Sequence, residues 1–403
     1  MPDTLSAALD FVLPASFQPA DFLAGQLAVR ADDARWLIST IVRKTANRDT
    51  DIWGCVRLSS KILRRVMDSH SSAQVILALK RGGAIELAPY CVGAMPMGFR
   101  LAGRYLGDRC IRIPAVDPRL IDRISRERER LKTLEQRERW QQVHYDLCEG
   151  QRHITIMADA DKLVDSLPEH TRLCQDVLVS NIRSKNYQFC VGSTGRVFNA
   201  ITGLKRELRT TLRIDGQPVG SVDIACAQPA LLAFLLDPNT PTIGPKHRPT
   251  YKLLPRCSPL LSPSAFLPSA LPVVGPDFAV FRTSVSSGTF YDLLSDRSGL
   301  PRPIVKLRFL VDVLAKRGRY RSAVESLFRE MFPSVYRAVR LINASDHGNL
   351  IRLLQRAESW LVVEQIAPRL LANQIAIATL HDAIFSADQS VDDVHSAFVE
   401  VLS

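Results

Sequence analysis

GRVFNAITGLKRELRTTLRIDGQPVGSVDIACAQPALLAFLL, residues 195–236, is the stretch on which the fold turns. It opens on Gly195-Arg196 and a basic patch of Lys205, Arg206, Arg209 and Arg213. Asp215-Gly216 between apolar runs predicts a two-residue hairpin turn. A short strand over 219–224 follows, with Asp223 near its end. From there Ala227, Ala230, Leu231, Phe234 and Leu235 recur at helical spacing. One carboxylate therefore stands where a strand hands over to a buried helix. A charged residue closing a strand would give the same pattern.

The second anchor is IAIATLHDAIF, residues 375–385. Two apolar runs meet at His381-Asp382, which reads as a hairpin with His-Asp at its tip. Two aspartates at the tips of buried strands can meet and share divalent cations. Mg²⁺ takes one or two carboxylates together with substrate phosphates, and two such ions can clamp both oxygens of an in-line phosphoryl transfer. Between the anchors lies RPIVKLRFLVDVL, residues 302–314, with Arg302 and Lys306 four apart on one helical face. A cationic face beside a carboxylate pair suits a triphosphate. Alone, an Arg-x-x-x-Lys pair is ordinarily a solvated helix face.

In order and spacing these pieces resemble the palm and fingers of family A DNA polymerases and the related single-subunit phage-type RNA polymerases. Thr194-Gly195-Arg196 matches the segment that precedes motif A in that family, and Asp223 in SVDIACAQP matches its motif A aspartate. Arg302 and Lys306 match the start of motif B, and His381-Asp382 matches motif C. The resemblance covers residues 192–403. It implies an α+β fold, a small antiparallel palm sheet with helical fingers. It also implies a nucleotidyltransferase using two Mg²⁺ ions, or Mn²⁺ in their place, with nucleoside triphosphates and a nucleic-acid template and primer as partners.

By that resemblance Asp223, Asp382 and the carbonyl of Ile224 hold metal. Arg302 and Lys306 hold the triphosphate, and Lys306 protonates the leaving group. His381 positions the primer end or the neighbouring aspartate. Gln228 lies against the incoming sugar, and Tyr291 stacks on a base or sugar or is a buried aromatic. Arg196, Lys205, Arg209 and Gln355 contact template or primer, and Glu358 is a further candidate by position. The sequence departs from the family at Leu314-Ala315, where Tyr-Gly is expected, and at Gln228, where the DNA-making members carry Glu. A bulky Gln leans towards deoxynucleotides, while Cys226 and that Gln are also similar to the RNA-making version. No Asp-x-Glu pair in a strand context precedes the palm, so no proofreading is expected. A plasmid, phage, mobile-element or defence polymerase would fit this small size.

The chain has 403 residues, 46% apolar, enough for two or three cores. A formal charge of +11 suits a polyanionic partner, with nucleic acid first. Eight cysteines without a Cys-x-x-Cys pair argue against zinc. No apolar run reaches a membrane span and no signal peptide is visible, so a cytoplasmic protein without a membrane partner is expected. Oligomeric state is left open.

Upstream, residues 1–113 form one predicted domain. Residues 1–30 read as a short helix and loop, and 32–44 as a helix. Ser59 is a plausible N-cap for a helix over 61–67. A turn at Asp68-Ser69-His70 leads to a helix over 72–81, with Val75, Ile76 and Leu79 on one face. Two strands around 85–87 and 99–101, joined by a Gly/Pro/Met loop, complete the winged-helix order. Lys61, Arg64, Arg65, Lys80 and Arg81 would face phosphates, unless the domain packs only on protein.

Residues 114–118 read as a linker and 119–149 as one long charged helix, within a helical supporting region, 114–190. Motif A occupies 191–236. Residues 237–276 hold ten of the 24 prolines and read as an extended insertion, made basic by His247, Arg248, Lys252 and Arg256. The fingers with motif B take 277–345, where Ser287-Gly288-Thr289 suggests a capped helix start. The basic run Lys316–Arg321 is expected near phosphates. Motif C takes 346–403. Two other readings stand beside a DNA-synthesising enzyme: a single-subunit-type RNA polymerase, and a non-catalytic winged-helix replication initiator or regulator.

Overall fold

A computed structural model describes residues 9–67, 70–90, 95–237 and 275–402. The turn at Asp68-Ser69, part of the loop after residue 90, and the proline-rich insertion with His247, Arg248, Lys252 and Arg256 lie outside the described residues. The fold is α+β, mostly helical with small antiparallel sheets. Its strands are β1 (Asp10–Pro14), β2 (Val56–Leu58), β3 (Ile85–Ala88), β4 (Met97–Leu101), β5 (Cys110–Pro114), β6 (Ile154–Ile156), β7 (Cys190–Val191), β8 (Val197–Phe198), β9 (Leu212–Ile214), β10 (Gln217–Asp223), β11 (Ile377–Leu380) and β12 (Ala383–Ala387). Among the described residues no helix is long and apolar enough to cross a membrane.

The chain divides into two units. The first takes residues up to 137, 150–189 and 199–219; the second takes 138–149, 190–198 and everything from 220.

In the first unit the helix Ala31–Ala46 precedes β2, the helices Ser60–Val66 and Ser72–Arg81, and then β3 and β4. The three strands form an antiparallel sheet in the order β2-β4-β3. The Ser59 hydroxyl accepts the Ile62 N–H and starts the first short helix. Val75, Ile76 and Leu79 of the next are buried, as their i, i+1, i+4 spacing on one helical face requires. Two strands were not legible: β1, in the stretch read as helix and loop, pairs antiparallel with β5, just before the stretch read as linker. Each is a five-residue run ending in proline, and its partner lies about a hundred residues away, so no local period marks either. Strand β6, in a segment read as helix and loop, pairs with β9. The Asp215-Gly216 turn joins β9 to β10, with both turn residues at positive φ (51° and 76°), as a tight hairpin requires.

The long charged helix is shorter than its composition suggested. It runs Pro118–Arg139, stops, and resumes as Gln142–Gly150. The stop is local chemistry: the His144 ring Nδ1 accepts the Gln141 N–H at 2.8 Å, and Trp140 sets its ring edge-on to Tyr145. A buried side chain reaching back to an orphan N–H three residues earlier fixes a helix start.

The second unit is built round an aromatic core. Phe281, Phe290, Phe309, Phe328 and Phe332 are all fully buried, with neighbouring ring centroids 5.0–6.2 Å apart, mostly edge-to-face. They come from the helices Asp277–Ser286, Phe290–Ser298 and Ala323–Met331, the residue after the last, and a π-helical stretch Phe309–Leu314 that continues the helix Arg302–Arg308. The helix stops before Pro333: Phe332 leaves helical geometry and a new helix starts at Pro333. Thr289 does not cap its helix; its hydroxyl donates back to the Ser284 carbonyl. Strands β11 and β12 pair in register Leu380↔Ala383, and the last part of β10 lies beside β12. Gly220 is required in that strand because Val391 packs where a Cβ would stand.

Candidate active site

The site grows from two strand ends in the second unit. The Ile224 N–H donates to the Asp382 carbonyl at 3.2 Å, so the end of β10 is tied to the β11–β12 turn. Asp223, the residue before Ile224, and Asp382 are thereby neighbours. Asp223 is exposed and Asp382 half-buried. Burial raises the Asp382 carboxyl pKa, the Asp223 charge raises it further, and Lys306 and Arg196 oppose the rise. The Asp382 carboxylate thus feels Asp223, Lys306 and Arg196 together.

The backbone at both strand ends is held in a sparse conformation. Cys226 and His381 have φ of 51° and 57°, and non-glycine residues enter the left-handed region rarely, clustering at functional sites. Cys226 stands before the helix Ala227–Leu236, and its thiol donates to the Gly288 carbonyl at 3.5 Å. His381 occupies the first position of the hairpin turn, with its ring edge-to-face on Phe198 at 6.1 Å.

The cationic side comes from the helix Arg302–Arg308. Lys306 and Arg302 lie over the Tyr291 ring, at 6.0 and 5.8 Å from its centroid. Arg302 also pairs with Asp292 at 2.8 Å. Tyr291 is buried among Phe290 and Phe309, so its ring is no open stacking platform. Burial pushes its hydroxyl pKa up; the Cys226 and Asp382 charges add to the rise, and Arg302 opposes it.

A second layer lies behind the carboxylates. Glu358 is 1% exposed. It takes the Arg196 Nε and Nη2 hydrogens in a bidentate pair, both at 2.8 Å, and accepts the Gln228 amide at 3.2 Å. Burial raises the Glu358 pKa against the lowering field of Arg196, and Asp382 adds to the rise. Gly195, before Arg196, has φ of 81°, and a Cβ there would meet Arg356 and Ser359 at 3.3 Å. The turn between β7 and β8 thus needs glycine for its backbone and arginine for its buried partner. Arg356 pairs with Glu364, and the electrostatic fields of both reach buried His144. The helix Asn349–Ser359 passes directly into a π-helical stretch, Trp360–Ile366. Both this helix and Arg302–Arg308 therefore continue into a π segment, a rare form found often at functional sites.

The structure brings together Asp223, Asp382, Ile224, Lys306, Arg302, Tyr291, His381, Gln228 and Arg196. Two of the Arg196 nitrogens are engaged by Glu358, which differs from the expected free contact with a nucleic-acid phosphate. On the helix before the second aspartate Gln355 is half-buried, and Glu358 makes the contacts to Arg196 and Gln228. Lys316, expected near phosphates, is buried against Glu325. Leu314 is buried at the end of its π segment. Lys205 and Arg209 belong to the first unit, where Arg209 donates to the Leu204 carbonyl. There too Lys61, Arg64 and Arg65 are exposed on their helix, with Arg65 3.4 Å from Glu127. Sequence reasoning missed Asp292, Glu364 and His144: Asp292 meets Arg302 ten residues on and Glu364 meets Arg356 eight residues back, neither at the three- or four-residue spacing that marks a helical pair.

Among the described residues no cluster of three or more His, Cys, Asp or Glu side chains forms a ready metal site. Two carboxylates beside a main-chain carbonyl are still a donor set suited to Mg²⁺, which keeps waters and takes the remaining ligands from substrate phosphates. No known family, curated protein or solved structure matches the chain.

Proposed function

We propose that the second unit is the palm and fingers of a template-directed nucleotidyltransferase, with DNA synthesis favoured and Mg²⁺ as its cofactor. The observation that carries this reading is the hydrogen bond from Ile224 N–H to the Asp382 carbonyl, which makes Asp223 and Asp382 neighbours within reach of the Lys306 charge. Asp223 and Asp382, with the Ile224 carbonyl, would hold divalent cations, which would supply charge stabilisation to the attacking and leaving oxygens. Lys306 and Arg302, steadied on the Tyr291 face, bind the triphosphate, and Lys306 delivers a proton to the departing pyrophosphate oxygen. Glu358 and Arg196 fix Gln228 beside the position of the incoming sugar.

RNA synthesis is the second reading. It is favoured by Gln228 being drawn back to Glu358, which leaves less of its side chain to exclude a 2′-hydroxyl. An incorporation assay crossing deoxy- with ribonucleoside triphosphates, DNA with RNA template, and primed with unprimed substrate tests both. Mg²⁺-dependent incorporation lost in Asp223→Ala is the expected result. Incorporation that survives Asp223→Ala removes the assignment. Sequence-specific duplex binding with no incorporation by the wild type would favour a non-catalytic winged-helix regulator.

A further inference from the structure

We propose that Arg43, Arg112 and Arg128 of the first unit form a binding site for phosphoryl oxygens. Three elements supply them: the last turn of the helix Ala31–Ala46, strand β5, and the helix Pro118–Arg139. Two are held in place by neutral acceptors. Arg43 donates Nη2 to the Asp10 carbonyl at 3.1 Å and Nε to the Ser39 hydroxyl at 3.4 Å. That hydroxyl also accepts the Val12 N–H, and Val12 is the ladder partner of Arg112. Arg112 in turn donates Nε to the Ser180 hydroxyl at 2.9 Å and Nη2 to the Asn181 side-chain oxygen at 2.7 Å. Arg43 and Arg112 therefore flank one stretch of β1, oriented without a carboxylate. Arg128 is exposed, and among the described residues it has no hydrogen-bond or ion-pair partner.

Buried or half-buried arginines are ordinarily paired with acids. Arg109 of this unit follows that rule, meeting Asp161, Asp165 and Asp176. Here Arg43 and Arg112 share the single carboxylate of Asp10, and the Arg128 charge reaches Arg43. Burial pushes the Arg43 pKa down to about 10, and the Arg128 and Arg112 charges push it the same way. The neighbouring Cys110 thiol is held up at about 12, so it supplies no negative charge at neutral pH. Gathering like charges costs stability unless an anion offsets it, and guanidinium groups match phosphoryl oxygens in charge and geometry. The chemistry is shared by a nucleic-acid backbone and by free phosphate. It stands apart from the catalytic reading, because it uses neither Asp223 nor Asp382.

The test uses the full chain in EDTA without nucleotides. Binding of a fluorescent single-stranded oligodeoxynucleotide is followed by anisotropy across a salt series, and binding of tripolyphosphate by melting temperature. Arg128→Gln should weaken oligonucleotide binding about fivefold and reduce the salt slope by about one. Without anion it should melt no lower than wild type, since it relieves repulsion. Arg126→Gln, an equal charge change on the same helix at a residue paired with Asp122, should change neither by as much. Oligonucleotide binding without a tripolyphosphate shift assigns the site to a nucleic-acid backbone; a shift with tripolyphosphate that Arg128→Gln loses assigns it to free phosphate. Equal effects of Arg126→Gln and Arg128→Gln, or wild-type binding by Arg128→Gln, would overturn the proposal.

Discussion

Two hairpin turns of the second unit each carry a charge, and they treat it in opposite ways. The turn between β7 and β8 presents Arg196 to Glu358, buried and bidentate. The turn between β11 and β12 presents Asp382 beside Asp223, a like charge, so that burial and repulsion both raise its pKa. The first charge is fully answered inside the protein and reads as scaffold. The second is left under-compensated in the free protein, which is what a group reserved for a cation and a polyanionic substrate requires. A charge's partner, more than its presence at a turn, separates the two roles.

Substituting the unanswered charge should cost function and spare stability. Asp382→Asn should lower Mg²⁺-dependent incorporation on the order of 10³-fold, from several kcal/mol of lost charge stabilisation. In a metal-free melt at neutral pH it should be no less stable than wild type. Substituting the answered charge should do the reverse. Glu358→Ala strands a half-buried guanidinium and should cost about 3–5 kcal/mol in denaturant unfolding, as broken buried pairs do. A loss below 1 kcal/mol there would erase the contrast. Gly195→Ala should cost about 1–2 kcal/mol, because its φ of 81° is unfavourable for any residue with a Cβ.

The pH dependence sharpens the same point. Asp382 has a folded pKa above its ordinary value, so its ionisation works against folding. The penalty is absent at pH below the ordinary carboxylate range. It grows as pH rises through the raised folded value and is then fully present. Metal-free wild type should lose stability across that window relative to Asp382→Asn, and saturating Mg²⁺ should remove the difference. Equal pH profiles for the two proteins would deny that Asp382 is under-compensated.

What the sequence carried well was local. Asp215-Gly216, His381-Asp382 and the Arg302/Lys306 face all lie where their turn chemistry or helical spacing placed them. Ser59 caps its helix for the same reason. Strands β1 and β5 escaped because short apolar runs gain strand character only from a partner far along the chain. The break at Trp140-Gln141 was hidden because charge-rich periodicity continues through it, while the determinant is one ring nitrogen of His144. Glu358 could be named by position, but its partner Arg196 lies 162 residues away, so its role as the acid behind the site had no signature in spacing. Lys316 misled in the opposite direction: a basic run looks phosphate-facing until Glu325 is seen to bury its first member.

The account stands or falls on Asp223 and Asp382 acting as one site. Titration of the protein with Mn²⁺, followed by the loss of its free-ion EPR signal, measures that directly in wild type, Asp223→Asn, Asp382→Asn and the double variant. Either single substitution should abolish the tight binding, and the double variant should lose no more than either alone. Wild-type Mn²⁺ affinity in both single variants, or losses that simply add, would contradict it.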